Sequence, residues 1–309
     1  MTIGLFLALY GDRPLAEALD AAVGVGCQAV EIESKAASGH CRPAELLRHA
    51  DARERFAHLV AERGLVVSAL SCHGNPLHPD DHVAAAADRD YRDTVLLAAE
   101  LGIETVITFS GCPGESERSL RPSWVTCSWP TDYPETLAWQ WKERVLPYWA
   151  DAGSFAAARG VRVAIEPHPG FVVYNTATML RLRGAAGDAV GVNFDPSHLF
   201  WQGMDPLACA AALSGSIFHV HAKDTAFQAE ALALNGVLDP VPSDRPGERS
   251  WLFRSVGEGH PAAWWRELVA ALRAADYDGA LSIEHEDPLL SREEGLAVAV
   301  ATLQEALDG

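Results

Sequence analysis

The sequence predicts a (β/α)8 TIM barrel, an α/β fold, on three observations. Short apolar, β-branched runs alternate eight times with longer segments of helical period. The length, 309 residues, suits one such barrel with insertions. Two strand-to-helix connections are far longer than the others, as expected where loops build a site at the barrel mouth. Strict alternation implies parallel strands, because each parallel pairing needs a crossover. No repeat, low-complexity tract or linker interrupts the pattern, so a single domain over 1–309 is expected.

The first strand is read over Ile3–Leu9 and the first helix over Pro14–Val25. Ala29–Ile32 is the second strand, followed by one long helix, Pro43–Arg63, with Leu46, Leu47, Phe56, Leu59 and Val60 on its apolar face. Strand Val66–Ser71 leads to helix Arg89–Leu101, and strand Thr105–Thr108 to the long connection Ser110–Trp141 and helix Glu143–Arg159. Val161–Glu166 and Val190–Asp195 are strands followed by helices Thr176–Arg183 and Pro206–Leu213. Strand Ile217–Ala222 opens the second long connection, Asp224–Pro261, which ends at helix Ala262–Ala275. Ala280–Glu284 is the eighth strand and Arg292–Leu307 the last helix. Gly64, Gly102 and Gly160 stand just past helix ends, where a left-handed residue closes the last turn.

Charge and cysteine content narrow the function. With 24 Lys+Arg against 42 Asp+Glu the net charge is −18, which argues against nucleic acid and against an anionic membrane surface. Six scattered cysteines without a CxxC pair read as reduced thiols, Cys72 among them as a small buried filler. The apolar run Ile3–Tyr10 is too short for a membrane span and lacks a preceding basic residue, so a cytoplasmic location is expected.

Polar residues gather at strand ends. Eight of twelve histidines lie there (His73, His78, His168, His198, His219, His221, His260, His285), with Glu31, Glu33, Glu166, Asp195, Asp224, Glu284 and Glu286. Alternation along a strand puts Glu166 on the face of Ala164, Asp195 with Asn193, His221 with His219, and Glu284 with Ser282 and Glu286. A ring of buried carboxylates needs a counter-charge, and no adequate Lys or Arg cluster lies in sequence reach, so one divalent metal ion is expected. The mixed O/N donor set suits Mn²⁺, Co²⁺, Mg²⁺ or Zn²⁺ and does not select sharply among them, with Mn²⁺ taken as the first expectation. Taken singly, Glu31, Glu33 and Glu286 read as satisfied polar residues and the loop tryptophans as packing.

The strings IEPHPG (165–170), NFDPSHLFWQG (193–203), HVHAKD (219–224) and SIEHEDP (282–288) resemble the sugar phosphate isomerase/epimerase family, a group of xylose-isomerase-like barrels. Ketose 3-epimerases, inosose dehydratases and type IV AP endonucleases are its relatives. The resemblance runs from the first strand to the last helix. It implies one metal held by Glu166, Asp195, His221 and Glu284, the second His of HVH being the better match. It also implies that Glu166 and Glu284 are the catalytic proton carriers, working on an enediolate formed from a sugar. His198, His168, Lys223, Arg254 and His73 are the expected substrate contacts. Proton return to the far face gives epimerisation, return to the neighbouring carbon gives isomerisation, and loss of a β-hydroxyl gives dehydration. A sugar isomerase or epimerase is the first reading and a lyase on a keto-sugar, keto-glycoside or inosose the second.

An AP-endonuclease-type phosphodiesterase is rejected. Strand four ends Thr108-Phe109-Ser110-Gly111 without a His, and 224–261 holds no Asp-x-His. Acids at Glu258, Glu286, Asp287, Glu293 and Glu294 argue for a small sugar without phosphate. A homo-oligomer is left open, since no helix face is apolar enough to fix one.

Overall fold

The computed structural model of the chain describes all 309 residues. Eight parallel strands close into a barrel: β1 (Thr2–Phe6), β2 (Ala29–Glu33), β3 (Val66–Ser71), β4 (Thr105–Phe109), β5 (Arg162–Glu166), β6 (Val190–Phe194), β7 (Ile217–Ala222) and, after a two-stranded excursion, β10 (Ala280–Ile283). β1 pairs with β2 on one side and β10 on the other, which completes the ring. The register is tight between β6 and β7, where a Cβ on Gly191 would lie 2.3 Å from the Ser216 carbonyl oxygen. Only glycine permits that approach.

Apolar side chains on the outward strand faces pack under the helices in one large core that includes Trp149, Val163, Val192, Val220 and Leu281. No helix is long and apolar enough to cross a membrane. Helix ends follow local chemistry. Asp80 caps the helix Asp81–Leu101 by accepting from the His82 N–H, and Gly102 closes it in the left-handed conformation. Ser291 and Glu294 form a reciprocal capping box at the start of Arg292–Asp308.

Four expectations are corrected. β1 stops at Phe6, and Leu7–Tyr10 form a 3₁₀ turn that buries Leu7 and Tyr10. The expected helix Pro43–Arg63 is two helices, Pro43–Arg48 and Ala50–Ala61, broken at an extended His49. The Arg53 guanidinium, donating to the Leu46 carbonyl at 3.0 Å, secures that break. The helix expected from Arg89 begins eight residues earlier, because the Asp80 cap starts it where apolar periodicity is weak. The connection Asp224–Pro261 contains an antiparallel ribbon of β8 (Asp224–Phe227) and β9 (Trp251–Arg254), with a short helix Ala229–Asn235 between them.

The first long connection also carries structure: helix Asp132–Trp139, one widened turn over Gln140–Val145, then helix Leu146–Ala157. Buried Gln140 pins it by donating to the Ser123 and Gly114 carbonyls at 2.7 and 3.0 Å. Trp141 is buried beneath Arg181, and Trp124 packs edge-on to Tyr174, whereas Trp129 is exposed. The second connection is knotted on Asp224, whose carboxylate accepts from the backbone N–H groups of Thr225, Gly257, Gly259 and His260. The His260 ring nitrogen lies 2.6 Å from the same carboxylate. Asp224→Ala strands these donors and should lower the unfolding free energy by about 3 kcal/mol. Urea denaturation measures it, and a loss below about 1 kcal/mol would show that the knot is dispensable.

Candidate metal centre

The mouth of the barrel inherits its chemistry from strand alternation. Glu166 ends β5, Asp195 follows β6, His221 lies near the end of β7 and Glu284 follows β10. One donor atom from each falls within 4.8 Å of the others. Asp195 is also the N-cap of the short helix Pro196–Phe200: its Oδ1 accepts from the Ser197 N–H at 2.8 Å, which leaves Oδ2 for the cluster. The same turn delivers His198, whose Nε2 lies 3.3 Å from Asp195 Oδ2 and 3.2 Å from Glu166 Oε1.

Glu166 Oε2 accepts from His73 Nε2 at 3.1 Å and from Asn193 Nδ2 at 3.0 Å. Burial pushes the Glu166 carboxyl up, but the His221 charge and the His198 and His73 contacts outweigh burial and hold it well below the usual range. His221 lies among three carboxylates: Nε2 is 2.8 Å from Glu31 Oε2, while Nδ1 is 3.1 Å from Glu284 and 3.4 Å from Glu166. Burial disfavours its charge, yet Glu31, Glu284 and Glu166 together raise its pKa well above the ordinary imidazole value. His168 is the opposite case. Burial and the neighbouring His198, ring centroids 4.1 Å apart, push it down to about 3.

No cluster of lysines or arginines reaches the carboxylates, but one lysine does. Lys223, 2% exposed, places Nζ 2.7 Å from Glu284, 3.1 Å from Asp195 and 3.1 Å from Glu286. It lies two residues beyond His221, so the same alternation that aims the imidazole inward aims the ammonium inward too. The Phe253 ring covers it at 4.6 Å. Arg254, expected at the substrate, is instead committed to Asp287 at 2.8 Å and Glu258 at 2.9 Å. His219 lies below the cluster, its Nδ1 2.9 Å from Asn193 Oδ1. His78, His260 and His285 are occupied at Asp80, Asp224 and Ser255.

Two parts of the site escaped the sequence reading. Glu31 reaches the cluster as the partner of His221 and Ser282. An aromatic wall of Phe6, Phe109, Phe171 and Phe253 stands against His221, His73, His168 and His198. Phe6 and Phe109 end their strands, a position that could have flagged them.

Whether these donors suit a metal can be tested on their hydrogen bonding. Asp195 Oδ2, His198 Nε2 and His221 Nδ1 are buried atoms that lie 3.1 to 3.4 Å from charged neighbours (Lys223, Glu166 and Glu284) without an aligned hydrogen bond to them. Three such atoms converging on one point, held by charge and not by directed bonds, suit a place for a ligand. A carboxylate-rich set with imidazole fits a divalent ion. The carboxylate–imidazole pair Glu31–His221 supplies the outer support a ligating histidine needs.

A family model described as a xylose isomerase-like TIM barrel matches residues 19–306. The chain belongs to that family. It is 35% identical over 303 residues to the uncharacterized protein YfiH of Bacillus subtilis, covering 96% of each chain. It is 28% identical over 141 residues to an inosose dehydratase of Bacillus thuringiensis, 45% of each chain. The solved structure of an L-ribulose 3-epimerase has the same fold, with a TM-score of 0.64, 17% identity and coverage of 99% of this chain and 96% of that one. The same barrel fold thus carries an L-ribulose 3-epimerase, and part of the chain is similar to an inosose dehydratase.

The carboxylates around His221 raise its pKa, and the ring must free Nδ1 to ligate an ion, so uptake of a divalent ion at this cluster should release up to one proton. Affinity should therefore rise with pH. Calorimetry of Mn²⁺ binding in two buffers of different ionisation enthalpy measures the release, and a value near zero would remove His221 from the ligand set.

Proposed function

We propose that this protein is a divalent-metal-dependent sugar isomerase or epimerase acting on a ketose or keto-sugar by proton abstraction. The observation that carries the reading is the convergence of one buried or half-buried donor atom each from Glu166, Asp195, His221 and Glu284. These four are the proposed ligands, and Mn²⁺ is the first choice among Mn²⁺, Co²⁺, Mg²⁺ and Zn²⁺. A bound divalent ion supplies Lewis-acid polarisation of two adjacent substrate oxygens. Glu166 and Glu284, separated around the barrel by β6 and β7, are the catalytic carboxylates. One takes the proton from the carbon between those oxygens, and the other returns a proton to the opposite face or to the next carbon. His198, His168 and His73 border this space and offer ring nitrogens to substrate hydroxyls, and Lys223 adds positive charge beside Glu284. The aromatic wall offers apolar area to the C–H face of a sugar.

The cations support an uncharged sugar. Lys223 is matched by three carboxylates and Arg254 by two, so neither is free for a phosphate.

One observation favours the second reading, a lyase on a keto-sugar, keto-glycoside or inosose. The Lys223 ammonium donates to Glu284, whereas Glu166 receives no lysine hydrogen bond, so an acid for a leaving hydroxyl stands on one side of the site only.

Incubating Mn²⁺-loaded protein with ketoses, keto-sugars and inososes in D₂O, followed by mass spectrometry, separates the readings. Deuteron gain without loss of water, reduced by about 10²-fold or more in Glu284→Gln, is the expected result. Loss of water assigns the lyase. No exchange with any of these substrates would refute the proposed substrate class.

A further inference from the structure

A line of hydrogen bonds crosses the barrel interior one layer beneath the cluster. Asn193 Nδ2 donates to Glu166 Oε2 at 3.0 Å, and His219 Nδ1 lies 2.9 Å from Asn193 Oδ1. His219 Nε2 lies 3.1 Å from Ser68 Oγ, which is also 3.2 Å from the Val30 carbonyl oxygen. Asn193 and His219 are fully buried, and the line joins β5, β6, β7 and β3.

The line has one direction. A carboxylate only accepts, so Asn193 must turn its NH₂ to Glu166, and its carbonyl oxygen must then face His219. That oxygen also only accepts, so His219 must carry a proton on Nδ1. We propose that Asn193 and His219 are positioning residues that fix the rotation of the Glu166 carboxylate by this directional line, leaving Oε2 held and Oε1 toward His198. The proposal rests on the metal reading of the cluster for its consequence and on hydrogen-bond direction for its existence. Neither residue touches the substrate, and His219 is not a ligand: the expected second-layer support, a carboxylate, serves His221 through Glu31, while Glu166 is served by an amide aligned by an imidazole.

The alternative is that Asn193 and His219 only fill and stabilise the barrel interior. A first experiment needs no metal. In the full-length wild-type chain labelled with ¹⁵N-histidine, two-bond ¹⁵N–¹H correlation should show His219 with its proton on Nδ1, the signal being assigned by its loss in His219→Asn. A proton on Nε2 alone overturns the proposal.

The second experiment is a Co²⁺ titration followed by visible absorption. Asn193→Leu and His219→Leu should each weaken Co²⁺ binding by about 10- to 100-fold and alter the absorption envelope. The double variant should be no weaker than either single one, because both act through the same Glu166 oxygen. His219→Asn, whose amide nitrogen can replace Nδ1, should restore most of the affinity. Additive losses, or unchanged affinity and spectrum in variants with lowered melting temperature, overturn the positioning role in favour of simple packing. A wild-type chain that takes up no Co²⁺ refutes the metal reading and with it the consequence for the ion, while the Nδ1 proton still decides whether the line exists.

Discussion

The crowding of negative charge in the barrel mouth sets the terms for everything around it. Glu31, Glu166, Asp195 and Glu284 bring four carboxylates into a space from which water is largely excluded, and isolated ions there would be costly. Each is met by specific donors. Glu31 is met by His221 and Ser282, Glu166 by His73 and Asn193, Asp195 by the Ser197 amide, and Glu284 by Lys223. One imidazolium and one ammonium are too little charge for four carboxylates. The shortfall is what makes a divalent ion physically reasonable at this point.

That arrangement divides the two candidate proton carriers. Glu166 accepts from His73 and Asn193 beside the His221 charge, whereas Glu284 accepts from the Lys223 ammonium beside the same imidazole. Two carboxylates of similar chemistry thereby stand on different supports. The difference originates in position: Glu166 ends β5 above a polar layer, whereas Glu284 lies past the end of β10 beside a lysine from β7.

Strand positions and the inward face were legible in the sequence because alternation is a local property. Ala164–Glu166, Asn193–Asp195, His219–His221 and Ser282–Glu284 each declare which side chains share a face, and closure of the barrel converts shared faces into proximity. What alternation cannot reveal is pairing across the axis. Glu31 and His221 are 190 positions apart, so nothing local distinguishes this glutamate from one satisfied at a strand end. Lys223 could be read as inward, but not as the partner of Asp195 and Glu284. The partners of Arg254 were half legible: Glu258 lies four residues on, a pairing visible in sequence, while Asp287 reaches it from another element. The break at His49 was hidden because no Gly or Pro marks it, and the guanidinium that secures it comes from Arg53 in the next helix.

Lys223 and Asp224 are neighbours with opposite duties. The first turns inward to the carboxylates, and the second turns outward to hold the backbone of 257–260. The anchor of one loop and a counter-charge of the cluster thus leave adjacent backbone positions at the end of a single strand, so a change in the conformation of that strand end alters loop attachment and charge balance together.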